Sequence, residues 1–543
     1  MSTDALPPVD PAALPVDAAA LPNDVRLLKS LVVELVATLR TRDERIAQLE
    51  RNMDLLARKV FGRTSEKVDP RQTVLFEQPA EEPPSEPPPP AAPSVALKPV
   101  KHRGRRPKPD TLRRVDVIHD LTAAEKEALA AGGELVPLGE EVTEQYEWEP
   151  SSLYVLRHVQ KKYVRRPARL ESGPAPEEKN VVTAPKPPQA IAGGVAGPGL
   201  LACLITSRFG DHLPYHRHER IFARHGVPFS RQTTCDWALQ LAELCRPVYE
   251  LMIAEVLRSA ALHTDDTPVK VRDAHGKRQY TGRFWNYVGD DEHPFSVFTF
   301  TPSRSRDGPG GPAEFLQDYH GYLQADAFAG YDALYLGPDA RIVEVACWAH
   351  ARRKFFEART SDRLRAETAL AFVRELYARE RELCETFAAE AWRERSRAER
   401  LAEIVARRQA ESRTILAEFA AWIEQETPKL LPKQPLRQAL EYARTNWTAL
   451  VRYCDDGRLD VDNLEAERAI RGIAIGRRNW LFCGSDRGGR AAAVHFSLIA
   501  DCARHDLDPF AYLRDLFTRL PELRAKPDPV ALRSLLPDRW KPN

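Results

Sequence analysis

Three acidic positions stand far apart in this chain. Asp265 and Asp266 adjoin in ALHTDDTPVKV, Asp326 follows the short apolar run in GYLQADAFAGYDAL, and Glu467 lies in DDGRLDVDNLEAERAIRGIAIGRRNWLFCGSDRGG, residues 455–489. Carboxylates are the hard oxygen donors that Mg²⁺ or Mn²⁺ takes, and two such ions shared by about three acids can drive an in-line phosphoryl displacement. The third stretch also holds Arg468, Arg471, Arg477 and Arg478, whose guanidinium groups suit a polyanion. Each acid has an ordinary alternative: a solvated strand end for the Asp pair, a turn residue for Asp326, and a pair with Arg471 four residues on for Glu467. Asp266, Glu465 and His350 (after Cys347 and Trp348) are second choices. No Ser/His/Asp or Cys/His arrangement stands out.

The elements that would position these acids can be read from periodicity. Residues 261–271, 282–288 and 295–300 read as strands, residues 322–325 as a short strand ending at Asp326, and residues 342–346 as a buried strand running into a helix. About a hundred helical residues rich in Arg, Glu, Ala and Leu come next. The Glu467 segment then reads as a helix with Ala466, Ala469, Ile470 and Ile473 on its core face. Strand with Asp, two strands, strand with Asp, strand and helix, then helix with Glu is the order of an RNase H-like core with a helical insertion.

Ahead of this core the chain changes character repeatedly. Residues 1–23 are rich in Pro and Ala and read as disordered. Residues 24–64 carry Leu28, Val32, Leu35, Leu39, Ile46, Leu49, Met53, Leu56 and Val60 at alternating four- and three-residue steps interrupted only at Arg42, a heptad seam that predicts a coiled coil and self-association. Residues 65–114 form a Pro-rich linker ending in a basic arm, HRGRRPK with Arg103, Arg105 and Arg106, similar to an AT-hook. Residues 115–190 predict a small β-rich module, with two or three strands in 141–165. Residues 191–260 are helical. Ser230 is placed to cap a second helix that starts at Arg231, in the order of a helix-turn-helix or of two packed helices. The division continues as 261–354 for the first part of the core, 355–455 for the insertion, 456–490 for the Glu467 helix and Arg/Gly-rich segment, and 491–543 for closing helices. The predicted class is multidomain α+β.

With 79 Lys+Arg against 78 Asp+Glu, the net charge excludes nothing. No apolar run reaches the ~18 residues of a membrane span, and the N-terminal residues lack the regions of a signal peptide. The 8 cysteines are scattered, the first at Cys203, and fit a reducing cytoplasm.

HTDDTPVKV, GRFWNYV, LQADAFAGYDALY, EVACWAHARRKFFE, DNLEAERAIRGIAIGRRNWLFCGSDRGG and DPFAYLRDLF together resemble the transposases of the insertion-sequence-66 family. LLARKVFGRTSEK, GRRP and HLPYHRHERIFARHGVPFSR resemble its N-terminal parts in the same order, so the resemblance spans roughly residues 25 to 520. It implies a DDE transposase with Asp265, Asp326 and Glu467 as catalytic metal ligands, two Mg²⁺ or Mn²⁺ ions per site, DNA ends and target DNA as partners, and a bacterial cytoplasmic location. Between Asp265 and Asp266, the family motif D-[DE]-T-P favours the first. The expected partners also include a second copy, through the coiled coil, and leave room for accessory transposition proteins. Arg103, Arg105, Arg106, Arg231, Arg468, Arg471, Arg477 and Arg478 are the candidate DNA contacts. The family's zinc-binding module is matched here by EALAAGGEL and KKYVRRPARL, which hold no cysteine, so no zinc is expected and the module is expected to rest on its own small core. The alternatives to a transposase are a non-catalytic DNA-binding or assembly protein derived from one, and a nuclease or integrase on the same fold.

Overall fold

The computed structural model describes Val36, Lys108, Asp110 and residues 112–542, less 131–132, 150–151, 168–180, 273–278, 327–328, 336–340, 389–391 and 393. The chain divides into a unit of residues 1–102, where only Val36 is described, and a unit of residues 103–543. The coiled-coil seam and Arg103, Arg105 and Arg106 therefore lie outside the described residues. The second unit is a mixed α/β structure containing two mixed sheets.

The first sheet is built on a long hairpin, β2 (Gly133–Glu149) and β3 (Ser152–Pro167). β1 (Arg114–His119) runs parallel to β3, and β4 (Val181–Thr183) pairs antiparallel to a later part of that strand. The expected strands are present, but the hairpin begins well before residue 141. Leu121, Tyr163 and Ala184 form a small local core. The expectation that this core alone holds the module is corrected, because Tyr146, Leu153 and Val155 are buried in the main core of the protein. The period-two alternation of a hairpin gives it two faces, and the second face here is packed against helices.

The helices of this region are α1 (Ala123–Ala130), α2 (Pro198–Ile205), α3 (Tyr215–Arg224) and α4 (Arg231–Val256). α2 sits close on the hairpin: Leu200 N donates to Glu147 Oε1 at 2.8 Å. Ser230 caps α4 as read from the sequence, its Oγ accepting Thr233 N at 3.1 Å. Arg231 is exposed and pairs with Glu219 at 3.3 Å. Beyond its first turns α4 is buried through Leu241, Cys245, Val248 and Met252, so most of its length serves the core.

The second sheet has the order β7-β6-β5-β8-β9. β5 (Ala261–Arg272), β6 (Gln279–Val288) and β7 (Ser296–Thr301) are antiparallel neighbours; β8 (Gly321–Ala325) and β9 (Ile342–Ala346) continue the sheet in parallel from β5. α5 (Trp348–Ala358) leaves β9. The insertion then forms α6 (Arg363–Ala388), α7 (Arg397–Arg407), α8 (Arg413–Glu426), α9 (Pro435–Thr445) and α10 (Trp447–Val451). Its sequence is charged on most faces and leaves open a spacer or a DNA-end clamp. In the structure Ala366, Leu370, Val373, Leu416, Phe419, Ile423, Leu436 and Leu440 join Val345, Trp348 and Phe355 in one buried cluster. The insertion is thus a helical layer packed on the β9 end of the sheet, with most of its arginines and glutamates turned outward.

α11 (Leu464–Trp480), α12 (Asp486–Arg504) and α13 (Pro509–Ala525) lie toward the end of the chain, α13 opening on the Asp508 cap as the Asp-Pro pair suggests. Along β7, Ser296 N donates to Asp501 Oδ1 at 2.6 Å and Phe298 N to Ser497 Oγ at 2.8 Å, so α12 side chains satisfy backbone donors of that strand. Among the described residues no helix is long and apolar enough to cross a membrane.

Candidate functional site

β5 presents alternate residues to opposite faces. His263, Asp265 and Thr267 face α11. His263 Nδ1 lies 3.1 Å from Asn463 Oδ1, and Arg477 Nη1 donates to Thr267 Oγ1 at 2.8 Å and to the Pro268 carbonyl at 2.7 Å. Thr264 and Asp266 face the other way. Thr264 Oγ1 lies 3.2 Å from Tyr331 OH, and the Asp266 side chain is enclosed between Arg283 at 2.6 Å and Arg304 at 2.9 Å. The adjacent aspartates therefore have different surroundings: Asp266 is neutralised by two guanidinium groups, while Asp265 faces the helix that carries Glu467.

Asp326 comes level with Asp265 through strand register. β5 and β8 pair in parallel with His263 opposite Gln324, and two further residues along each strand lead to Asp265 and Asp326. Neighbouring strands lie about 4.8 Å apart. The Asp326 backbone is held by Tyr442 of α9, whose OH donates to its carbonyl at 3.3 Å.

α11 is fixed by an entry segment that periodicity does not single out. Asn463, fully buried, donates through Nδ2 to the Thr264 carbonyl at 2.8 Å and through its backbone N to Cys347 Sγ at 3.2 Å. Gln324 Nε2 donates to the Asp460 carbonyl at 2.7 Å, and Trp348 N to the Val461 carbonyl at 3.1 Å. Asp462 accepts Leu464 N at 3.1 Å and Tyr377 OH at 2.7 Å, a helix-entry role. One turn on, Asn286 Nδ2 donates to the Ala466 carbonyl at 2.9 Å while its Oδ1 accepts Asp265 N at 2.9 Å. Asn286 thus ties the backbone of the Asp265 strand directly to the backbone beside Glu467. An Asn at a helix entrance is visible in sequence, but its partners two hundred residues away are not.

Burial pushes the Asp265 carboxyl up to about 7; the Asp266 N–H opposes this, and the Asp326, Asp266 and Glu467 carboxylates add to it. Two distant chain segments, at Asp326 and Glu467, therefore add negative charge to one half-buried acid. Glu467 Oε1 is buried without a hydrogen-bond partner among the described residues, and the basic side chain within 4.0 Å of it there is His350, at 3.8 Å, rather than Arg471. Asp265 and Asp326 are not in the tightest group of ligand atoms among the described residues: Cys347, His350 and Glu467 bring theirs within 4.8 Å of one another. Glu465 points elsewhere, pairing with Arg468 at 2.8 Å and approaching Arg504 at 4.0 Å.

The arginines divide as well. Arg477 turns inward onto β5 and Arg468 onto Glu465, while Arg471 and Arg478 are exposed seven residues apart, on one helix face. Beside β5 a cleft of about 580 Å³ is lined by Pro268, Lys270, Arg272, Arg477 and Phe482. It begins three residues from Asp265 and is basic.

Fold and site define a multidomain α+β protein with an acidic corner where β5, β8 and α11 meet, flanked by a basic cleft. Residues 193–491 match the family described as Transposase IS66 family, and residues 48–117 match one described as Transposase C of IS166 homeodomain. Two Sinorhizobium fredii proteins are similar over nearly their full lengths. "Uncharacterized protein y4hP" is 32% identical, covering 91% of this chain and 89% of its own. "Uncharacterized protein y4qI" is 29% identical, covering 94% and 92%. The chain belongs to the IS66 family of transposases.

Proposed function

We propose that the protein is a DDE-type DNA transposase that cleaves transposon ends and transfers the freed 3′ strand to target DNA, with Asp265, Asp326 and Glu467 holding its metal ions. The observation that carries this reading is that Asp326, level with Asp265 by strand register, and Glu467, on the helix tied to β5 through Asn286, both bring negative charge to Asp265, with no basic partner at that carboxyl among the described residues. The sheet order, antiparallel from β7 to β5 and parallel from β5 to β9, supports an RNase H-like core.

The donor set fits divalent ions such as Mg²⁺ or Mn²⁺. It consists of hard carboxylate oxygens, one of them buried and unpartnered among the described residues, and an acid whose proton affinity is raised where a cation would displace the proton. When bound, such ions supply activation of the attacking hydroxyl and stabilisation of the leaving 3′ oxygen. The chain's own residues provide the frame. Asn463 and Asn286 lock α11 to β5, so Glu467 cannot drift from Asp265. Tyr442 holds the strand end at Asp326. Arg477, Lys270 and Arg272 give the adjoining cleft the charge to draw in a phosphate backbone.

The test uses duplex DNA carrying the ends that flank this gene, with Mg²⁺. Asp326→Asn should lower strand cleavage about a thousandfold, equivalent to about 4 kcal/mol of transition-state stabilisation, while end binding stays nearly intact. Cleavage by Asp326→Asn at the wild-type rate would overturn the assignment. A wild-type protein that cuts but never joins a 3′ end to target DNA would be a nuclease.

A further inference from the structure

His350 lies in the first turn of α5, delivered to the acidic corner by β9. Its Nδ1 is 3.8 Å from Glu467 Oε1, and both atoms are buried with no hydrogen-bond partner among the described residues. That separation is too long for a hydrogen bond. Leaving two buried polar atoms unsatisfied is unfavourable. The separation does suit two donors to one cation: ligands about 2.1 Å from an ion lie about 3 Å apart at a right angle and about 4 Å apart when opposite. Cys347 belongs to the same group of atoms, but its Sγ already accepts the Asn463 N–H that fixes the entrance to α11. The sulfur has a structural task; the Nδ1 of the imidazole has none among the described residues.

We propose that His350 Nδ1 is a ligand to the ion held by Glu467, giving that ion a mixed nitrogen–oxygen donor set. The inference rests on the reading of Glu467 as a metal ligand. Its consequence is metal preference. Mg²⁺ takes oxygen ligands and keeps its waters, whereas divalent transition ions accept imidazole. The site therefore favours Mn²⁺ over Mg²⁺, and His350 sets that preference. The competing arrangement is a protonated His350 paired directly with Glu467, which would exclude an ion from between them.

The experiment is pulsed EPR of the full-length protein loaded with Mn²⁺, wild type with natural and with ¹⁵N-labelled histidine, alongside His350→Gln and Glu467→Gln. The expected result is coupling of Mn²⁺ to one imidazole nitrogen, converted to the ¹⁵N pattern on labelling and lost in His350→Gln. His350→Gln should still bind Mn²⁺, about tenfold more weakly, with Mg²⁺ affinity little changed. Mn²⁺ that binds in a Glu467-dependent way without nitrogen coupling would overturn the role of His350 and leave the proposed function standing. Coupling that survives in His350→Gln would assign the nitrogen elsewhere and overturn it too. Mn²⁺ binding absent from wild type, or unchanged in Glu467→Gln, would overturn the proposed metal site itself. Histidine labelling of the wild type keeps the question open to decision even where a variant folds poorly.

Discussion

Two carboxyls in different parts of this protein are pushed up to about 7 by burial, Glu147 in the long hairpin and Asp265 in the second sheet, and their company is opposite. Glu147 Oε1 accepts Trp148 N at 2.9 Å and Leu200 N at 2.8 Å, at the start of α2 where helix N–H groups lack internal partners. The chain makes room for this contact with glycine, since a Cβ at Gly197 or Gly199 would lie 2.3 Å from a Glu147 carboxylate oxygen. Asp265 accepts one N–H, from Asp266 at 2.7 Å, and among the described residues is otherwise faced by acids. Glu147 is a finished structural contact, its charge answered by fixed donors. Asp265 is an unanswered charge held in place by two asparagines. A raised proton affinity alone does not distinguish them; the chemistry of the neighbours does.

The comparison can be broken most directly by activity. Asp265→Asn should lower Mg²⁺-dependent cleavage about a thousandfold, whereas Glu147→Gln, which keeps an accepting oxygen, should leave it within about threefold of wild type. Equal losses, in protein shown to be folded by circular dichroism, would erase the distinction.

Stability against pH sharpens it further. Both acids bind a proton more tightly when folded than when unfolded. Between the ordinary carboxylate range and about 7 the unfolded chain therefore holds fewer protons, and the stability of the fold falls as pH rises. Each group accounts for a loss on the order of 3–4 kcal/mol, complete once pH passes about 7. Denaturation at pH 5 and pH 7.5 should show a smaller fall in either Asp265→Asn or Glu147→Gln. Saturating divalent ion should remove the Asp265 share and leave the Glu147 share, so metal that cancels both or neither would contradict the contrast.

The two supports should also fail differently. Asn463→Ala removes the side-chain bond to the Thr264 carbonyl and leaves that buried acceptor without it, costing about 2 kcal/mol. Metal affinity should fall with it, measured by titration calorimetry. Gly199→Ala drives a methyl group toward the Glu147 carboxylate and the Trp148 carbonyl, costing about 1–2 kcal/mol in thermal unfolding with metal affinity unchanged. A loss of metal binding in Gly199→Ala would mean that the two regions are coupled.

Much of this arrangement is legible in the chain. The residue types Asp265, Asp326 and Glu467, the order of strands and helices around them, the Ser230 and Asp508 caps and the core face of α11 come from chemistry and periodicity along a short stretch. What the chain leaves undecided is which partners those faces meet. A period of two says that Asp265 and Asp266 point apart, but only the packing of α11 on one side and Arg283 and Arg304 on the other says which acid is left uncompensated. The insertion reads as charged because its outward residues outnumber the alanines and leucines that bury themselves against β9. Arg477 reads as a free cation until Thr267 and Pro268 are brought beneath it, and His350 as no more than a second choice until Glu467 arrives beside it. Local sequence determines element type, because dihedral preference and side-chain period act within a few residues. Tertiary structure determines which acid stays unanswered, because charge and burial are set by partners that lie tens to hundreds of residues away along the chain.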